Sequence, residues 1–190
     1  AVNDAPVNVL PGAQTATEDT PLIFNLANGN QIQIADADAA NGNLQVTLSV
    51  GQGQLTLGST GGLSFTTGDG SADASMVFSG TLANINAALA NIIYVGSGPF
   101  PGSDTLRVTT SDLGNTGTGG ALIDSGAVAI SLLDINHTPE DNRAIPNQNG
   151  TVDQALRFSF SANTFIDQDA GDILSYSAQL SDGTALPGWL

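Results

Sequence analysis

The 190-residue chain has no cysteine and no lysine, and it contains only three arginines, one histidine and one tryptophan. Without cysteine it has no thiol nucleophile, no disulfide framework and no cysteine-zinc site. Without lysine it cannot form a Lys–Asn isopeptide cross-link. No segment approaches the ~18 consecutive apolar residues that a membrane-spanning helix needs.

Positive charge is scarce: 18 Asp and Glu residues stand against three Arg, which gives a net charge of −15. Nucleic acids and anionic membranes are therefore poor partners, because both recruit proteins through Lys and Arg. Such acidity is typical either of a highly soluble surface or of a protein that binds cations. The hydrophobic content of 41% is enough for a packed core, so the chain is not a disordered acidic tail.

The sequence also disfavours catalysis. His137 is the single histidine, and it lies in a predicted linker, whereas a Ser–His–Asp triad needs a histidine packed beside a serine. Paired carboxylates can cleave glycosides. The aromatic clefts of such enzymes are hard to build from 5% aromatic residues. We therefore predict that the protein is not an enzyme.

A long repeat organises the chain. Asn3 recurs as Asn136, Pro6 as Pro139, Phe24 as Phe158 and Asp36 as Asp167, always about 131–135 residues later. The sequence predicts one unit over residues 1–135 and the start of a second over 136–190. Because the second unit is much shorter, we expect the chain to be a piece of a longer protein. We also expect residues 137–190 to fold poorly by themselves.

The hydrophobic pattern predicts an all-β fold. Apolar residues alternate with polar ones over 44–50, and short apolar runs separated by glycine-rich turns follow up to a last strand near 128–132. The same alternation over 156–160 and 174–176 predicts strands in the second unit. Residues 81–90 instead show helical spacing with Thr81 as N-cap. The predicted fold is an immunoglobulin- or cadherin-like β-sandwich in tandem repeat with one short helix.

Acidic residues recur where predicted strands end. The two Asp-x-Asp pairs, Asp36/Asp38 and Asp167/Asp169, occupy equivalent positions in the repeat, and two carboxylates two residues apart in a turn can face one Ca²⁺. Neither pair continues as an EF-hand. The alternative is that Asp and Asn simply favour turns. The predicted metal ligands are Glu18, Asp19, Asp36, Asp38, Asp112, Asp134, Asn136, Asp167, Asp169 and Asp172.

Several of these segments carry a family resemblance. Residues 3–6 (NDAP), 17–22 (TEDTPL), 36–38 (DAD), 80–89 (GTLANINAAL) and 104–112 (DTLRVTTSD) resemble the cadherin-like repeats of large bacterial adhesins, many of them exported by type I systems. From Ile145 onwards the chain resembles a dystroglycan-type cadherin-like domain. The matching segments there are 160–165 (FSANTF), 167–172 (DQDAGD) and 182–190 (DGTALPGWL).

The resemblance implies Ca²⁺ at or near domain junctions and a role as a spacer or in adhesion at the bacterial cell surface. Its partners would be neighbouring repeats of the same chain, a cell-surface glycan or a second copy. The resemblance carries over to Glu18, Asp36, Asp38, Asp112 and Asp134 in the first unit and to Asp167 and Asp169 in the second. The vertebrate linker motif Asp-x-Asn-Asp-Asn is absent; residues 134–138 keep only its first half.

A carbohydrate-binding accessory module of a secreted protein or enzyme is the alternative function. Such a module needs an exposed aromatic platform, and the only candidates are Trp189, Tyr94 and Phe100. The alternative interpretation is that all three aromatic side chains pack in the hydrophobic core.

Overall fold

The computed structural model describes residues 2–97, 100–114, 117–169 and 171–186. The chain forms two compact units, Ala1–Asp134 and Ile135–Leu190, which we call unit 1 and unit 2. Within the described residues, no helix has both the length and the apolar character to cross a membrane.

Unit 1 is an all-β sandwich with one helix. Its strands are β1 (Val7–Val9), β2 (Gln14–Thr17), β3 (Leu22–Phe24), β4 (Gln33–Ala35), β5 (Asn43–Ser49), β6 (Gly53–Thr56), β7 (Ser64–Thr67), β8 (Ser75–Thr81), β9 (Ile92–Gly96), β10 (Gly102–Ser111) and β11 (Ile123–Leu133). A six-stranded sheet has the order β2-β11-β10-β5-β8-β7, a three-stranded sheet has the order β3-β9-β6, and β1 pairs with β4. All of these pairings are antiparallel except β2 with β11.

The core lies between the two sheets. Alternation puts every second side chain of β5 inside, at Leu44, Val46 and Leu48, as the sequence predicted. The small sheet contributes fully buried side chains such as Phe24 and Tyr94. These residues form one continuous hydrophobic cluster, so unit 1 has a single core.

The helix α1 (Leu82–Leu89) confirms the predicted element. Thr81 is its N-cap, since its side chain accepts a hydrogen bond from the backbone N–H of Asn84. One face buries Ile85, Ala88 and Leu89 in the core. On the same helix, Asn86 makes two 2.9 Å hydrogen bonds to the backbone N–H and C=O of Ile34. The helix thereby takes the place of a neighbouring strand beside β4.

The strand topology separates the predicted metal ligands of unit 1 into two groups at opposite ends. Asp112 directly follows β10, whose last residue pairs with the first residue of β11. Glu18 and Asp134 follow β2 and β11, whose parallel pairing ends together at Thr17 and Leu133. The length of β11 is 11 residues, so the two groups are separated by about 35 Å. We call them the entry pole (Asn3, Asp36, Asp38, Asp112) and the exit pole (Glu18, Asp19, Asp134).

Unit 2 contains little regular structure among its described residues. Its only named strands are β12 (Glu140–Asp141) and β13 (Phe165–Ile166), which pair antiparallel. The strands predicted over 156–160 and 174–176 are wrong, because both segments are irregular. Alternation alone does not make a strand; a neighbouring strand must supply the hydrogen bonds. Phe158, Phe160 and Tyr176 are accordingly 40–56% exposed.

Candidate metal centre

The Asp-x-Asp pair of unit 1 forms a tight turn directly after β4. The backbone N–H of Asp38 donates to Oδ1 of Asp36 at 3.1 Å, the pattern of an Asx turn. The backbone N–H of Asp4 then donates to Oδ2 of Asp38 at 3.3 Å. The N-terminal segment is therefore held against the Asp-x-Asp turn.

Asp112 fixes the neighbouring Asn3. The Asn3 amide donates to Oδ2 of Asp112 at 2.5 Å and to the carbonyl of Gly120 at 3.0 Å. Oδ1 of Asp112 accepts the backbone N–H groups of Gly114 and Leu122, both at 2.8 Å. Although burial raises the pKa of Asp112, these backbone donors and the Asn3 amide lower it by more. Asp112 is thus a charged anchor that positions Asn3.

Gly117 shows how closely the chain packs around Asn3. Its φ is +87°, and a Cβ at this position would lie 2.6 Å from the backbone nitrogen of Asn3. Only glycine tolerates both conditions.

At the entry pole, Oδ1 of Asn3 and Oδ2 of Asp36 are buried and have no hydrogen-bond partner among the described residues. Asn3 as a whole is 6% exposed. Burial raises the pKa of Asp36, and the adjacent Asp38 carboxylate raises it further, against the effect of nearby backbone N–H groups. A buried acceptor without a donor is costly, and so is a pair of neighbouring carboxylates. A cation would relieve both costs.

Unit 2 repeats this arrangement. The backbone N–H of Asp169 donates to Oδ1 of Asp167 at 3.0 Å, which is the same Asx turn. The backbone N–H of His137 donates to Oδ2 of Asp169 at 2.5 Å, as Asp4 does to Asp38 in unit 1. The turn again directly follows a short strand pair, since β13 ends at Ile166. The sequence repeat is therefore also a repeat of local hydrogen bonding.

The acidic residues of unit 2 converge. Asp167, Asp169 and Asp172 each offer a carboxylate oxygen, and these three atoms lie within 4.8 Å of one another. Asn136 and Tyr176 line the same cavity of about 410 Å³ as Asp167 and Asp172. The structure thus brings together the predicted unit 2 ligands.

His137 is the one basic side chain at this cluster within the described residues. Its Nδ1 lies 2.9 Å from Oδ1 of Asp169. This contact, together with the His137 backbone N–H, lowers the pKa of Asp169. Asp169 is therefore the most firmly oriented carboxylate of the three.

The exit pole gathers the remaining predicted ligands of unit 1. The backbone N–H of Glu18 donates to the carbonyl of Leu133 at 2.9 Å, so Glu18 lies beside Asp134. Asp19 follows in a left-handed conformation with a φ of 56°. The structure does not bring these residues to the entry pole, about 35 Å away along β11.

Asn3 is a candidate ligand that the sequence analysis did not include. Its equivalent Asn136 was predicted as a ligand, and the repeat offset alone pointed to Asn3. In the sequence Asn3 has no acidic pair beside it like Asp36 and Asp38, and its amide oxygen becomes a candidate Ca²⁺ ligand only through its buried position in the fold. Conversely, Asp112 was predicted as a ligand, yet both of its oxygens accept hydrogen bonds from protein donors.

The aromatic platform required by the carbohydrate-binding alternative is not formed by Tyr94, which is fully buried. Its hydroxyl donates to Oδ2 of Asp104 at 2.8 Å inside the sandwich. Phe100 packs partly buried against the core. Trp189 lies outside the described residues.

Comparison with known families supports the fold. The model of the family described as "Protein GAMETE EXPRESSED 2 domain" matches residues 29–118, and that described as "Putative Ig domain" matches residues 138–190. Each covers less than half of the chain, and no curated protein matches it. Together with the strand topology, these matches identify an immunoglobulin-like all-β sandwich.

Proposed function

We propose that the chain is a calcium-binding extender or adhesion repeat of a large bacterial surface or secreted protein. In this proposal it acts by binding and spacing, not by catalysis. Ca²⁺ is abundant outside cells, which fits sites built from only a few carboxylates, since extracellular modules bind it with Kd values of about 10⁻⁴–10⁻³ M.

The observation that carries the proposal is the pair of unpartnered, buried oxygens at the entry pole. Asp36 Oδ2 is a carboxylate oxygen beside a second carboxylate, and Asn3 Oδ1 is an amide oxygen held in place by Asp112. These are hard oxygen ligands, which Ca²⁺ and Mg²⁺ prefer over softer metals. Ca²⁺ is favoured because it accepts flexible sets of six to eight oxygens, while Mg²⁺ requires a near-ideal octahedron.

The ligands assigned to this site are Asn3, Asp36 and Asp38, with Asp112 as the residue that orients Asn3. The bound ion would neutralise the Asp36/Asp38 pair and tie the N-terminal segment to the sandwich. In unit 2 the corresponding ligands are Asn136, Asp167, Asp169 and Asp172. Glu18, Asp19 and Asp134 provide a separate group of acids at the exit pole.

Asp36→Asn tests the entry-pole site. Asparagine keeps Oδ1 for the Asp38 N–H but removes the charge that burial disfavours. The variant should therefore unfold at a higher temperature than the natural protein in EDTA, and it should gain less from CaCl₂. With about 10 mM Ca²⁺, one site contributes about 1.5–3 kcal/mol to the natural protein.

Asp69→Asn is the matched control, because Asp69 also forms an Asx turn, to Ser71, but lies in the loop between β7 and β8. It should retain the full response to Ca²⁺. MgCl₂ at equal ionic strength should stabilise the protein less than CaCl₂. If Asp36→Asn and the natural protein respond equally to Ca²⁺, the acids of the entry pole stabilise turns and do not bind the ion.

A further inference from the structure

The outward-facing side of the six-stranded sheet lacks the acidic side chains that are frequent in the rest of the molecule. Its strands contain only two acids, Asp104 and Asp124, and alternation turns both toward the core side. Asp104 is 7% exposed, and Asp124 accepts a 2.6 Å hydrogen bond from the Asn8 backbone. We call the opposite side of this sheet the outer face. It carries no acidic side chain, although soluble surfaces are usually 25–35% charged.

Hydroxyl groups dominate the outer face. Its central residues on the four inner strands β11, β10, β5 and β8 are Ser125, Ala127, Ala129, Thr105, Arg107, Thr109, Ser111, Gln45, Thr47, Ser49, Val77 and Ser79. The register aligns them in rows across the strands; Thr109 lies opposite both Ser125 and Thr47. The Thr109 and Ser125 hydroxyls are 3.0 Å apart. These short side chains cover about 15 Å across the four strands and about 20 Å along them.

Arg107 stands in the middle of this surface. It is the only positive side chain in the sequence of unit 1. Its neighbours across the strands are Ala127 and Ser49. Its side chain is exposed, and no ion pair within the described residues involves it. A guanidinium that forms no ion pair among the described residues is available for a carboxylate of a partner.

We propose that the outer face binds a glycan that carries carboxylate groups. Arg107 would donate two hydrogen bonds to one uronate carboxylate, which is the strongest contact available to it, and this ion pair would take the part that stacking plays on an aromatic platform. The surrounding Ser and Thr hydroxyls both donate and accept hydrogen bonds, as sugar hydroxyls do. A peptide partner fits less well, because it carries fewer hydroxyl groups than a sugar to pair with these Ser and Thr side chains.

The carboxylates at the two poles oppose this binding only weakly at physiological salt, and the nearer Asp104 and Asp124 face the core side of the sheet. Arg107 pairs with Ala127, which lies near the middle of β11. The ends of β11, where the two poles lie, are therefore about 15–20 Å away from Arg107 along the strand. That separation is about two Debye lengths at 0.15 M ionic strength, so the charges of the carboxylates at the two poles are largely screened. The proposal is independent of the Ca²⁺ sites and extends the proposed function to a ligand class.

The test uses the full chain, labelled with ¹⁵N, in EDTA at physiological salt. The probe is a linear oligosaccharide of alternating glucuronate and N-acetylglucosamine, and its methyl ester serves as the uncharged control. We expect saturable shifts of amide signals in β5, β10 and β11, with little or no response to the ester. Because EDTA removes Ca²⁺, failure of the metal proposal leaves this result unchanged.

Arg107→Gln should weaken the affinity for the oligosaccharide about tenfold or more, since a charge-assisted bidentate contact contributes at least ~1.4 kcal/mol. Arg157→Gln removes the same charge from an exposed position in unit 2 and should leave the affinity unchanged. Thr109→Glu places an acid beside Arg107 and should abolish binding. The amide spectrum of each free variant reports whether it is folded.

Four results would overturn the proposal. One is the absence of saturable shifts with the natural protein. Another is an equal loss of affinity in Arg107→Gln and Arg157→Gln, which would indicate a nonspecific charge effect. The third is equally tight binding of a poly-aspartate peptide, which would make the face an acceptor for any polyanion. Concentration-dependent shifts of the same amides without any sugar would assign the face to a second copy instead.

Discussion

Asp104 shows at the residue scale how a single buried carboxylate organises a loop. It accepts the backbone N–H groups of Gly51 and Gln52, both at 2.8 Å, and the Tyr94 hydroxyl. Burial raises the pKa of Asp104, but the donors of Gly51, Gln52, Thr105 and Tyr94 lower it by more. The loop between β5 and β6 is therefore tied to the start of β10 by charge-assisted hydrogen bonds.

This network predicts a pH dependence of stability. The pKa of Asp104 is lower in the folded protein than its ordinary value of 3.8, so the folded state binds the proton less well than the unfolded state. The stabilisation is present above pH 3.8 and is lost as the pH falls through the folded pKa. Asp104→Asn should lower the free energy of unfolding at pH 7 by about 1–3 kcal/mol.

Urea unfolding at several pH values between 2 and 7 measures this effect. Asp104→Asn should flatten the loss of stability below pH 4, whereas Asp69→Asn, at an exposed loop position, should not. A variant curve parallel to that of the natural protein down to pH 2 would contradict the assignment. Asp36 affects the free energy of unfolding with the opposite dependence on pH. Because its pKa is raised in the folded protein, its contribution to stability is favourable at low pH and is lost as the pH rises.

At the scale of elements, α1 supports the entry pole at a distance from it in sequence. Asn86 bonds both polar backbone groups of Ile34, and Ile34 lies in β4 two residues before Asp36. The helix thus sets the position of the strand that carries the Asp-x-Asp turn. A substitution that weakens the contact between the helix and β4 should therefore lower the affinity of the entry pole for Ca²⁺.

Asn86→Ala should lower the free energy of unfolding by about 1–3 kcal/mol, because two backbone groups of β4 lose their partner. It should also weaken the affinity for Ca²⁺ at the entry pole. Asn84→Ala is the control, since Asn84 lies on the same helix and its side chain donates to the Gly62 carbonyl, at 3.3 Å, and not to β4. Calorimetric titration with CaCl₂ distinguishes the two variants. Equal affinities would show that the helix does not influence Ca²⁺ binding at the entry pole.

For the whole molecule, the two units differ in how completely they are folded. Unit 1 has a continuous core and nearly complete sheets. Unit 2 holds two strands of two residues each among its described residues, and side chains such as Val152 and Ile173 are 86% and 95% exposed. Few of its backbone amides are protected by a ladder, so local opening should cost little free energy.

Hydrogen–deuterium exchange of the full chain should therefore show two classes of amides. Those of β5, β8, β10 and β11 should exchange slowly, through unfolding of unit 1. Those of 143–160 and 171–180 should exchange within seconds. Ca²⁺ should slow exchange around Asp36 and Asp167, while NaCl at equal ionic strength should not. Slow exchange throughout unit 2 would show that it has a core that its exposed side chains do not suggest.

The sequence by itself determined the fold class, the helix and the local turns. Strand alternation in unit 1 is set by a core that each strand faces with every second residue, and this can be read from Leu44 to Leu48. Both Asp-x-Asp turns depend on contacts between residues two apart, so their equivalence was also visible in the repeat. In unit 2 the same alternation failed, because no neighbouring strand pairs with 156–160 or 174–176.

Only the tertiary structure decided which acids lie together. Asn3 and Asp112 are 109 residues apart, and they meet because β10 and β11 form a hairpin whose turn packs against the N-terminal segment. Glu18 and Asp134 were predicted as ligands together with Asp112, yet the parallel pairing of β2 with β11 places Glu18 and Asp134 at the other end. The acid-free outer face likewise exists only once the sheet is assembled. Strand order and register are long-range properties, and composition and local spacing do not encode them.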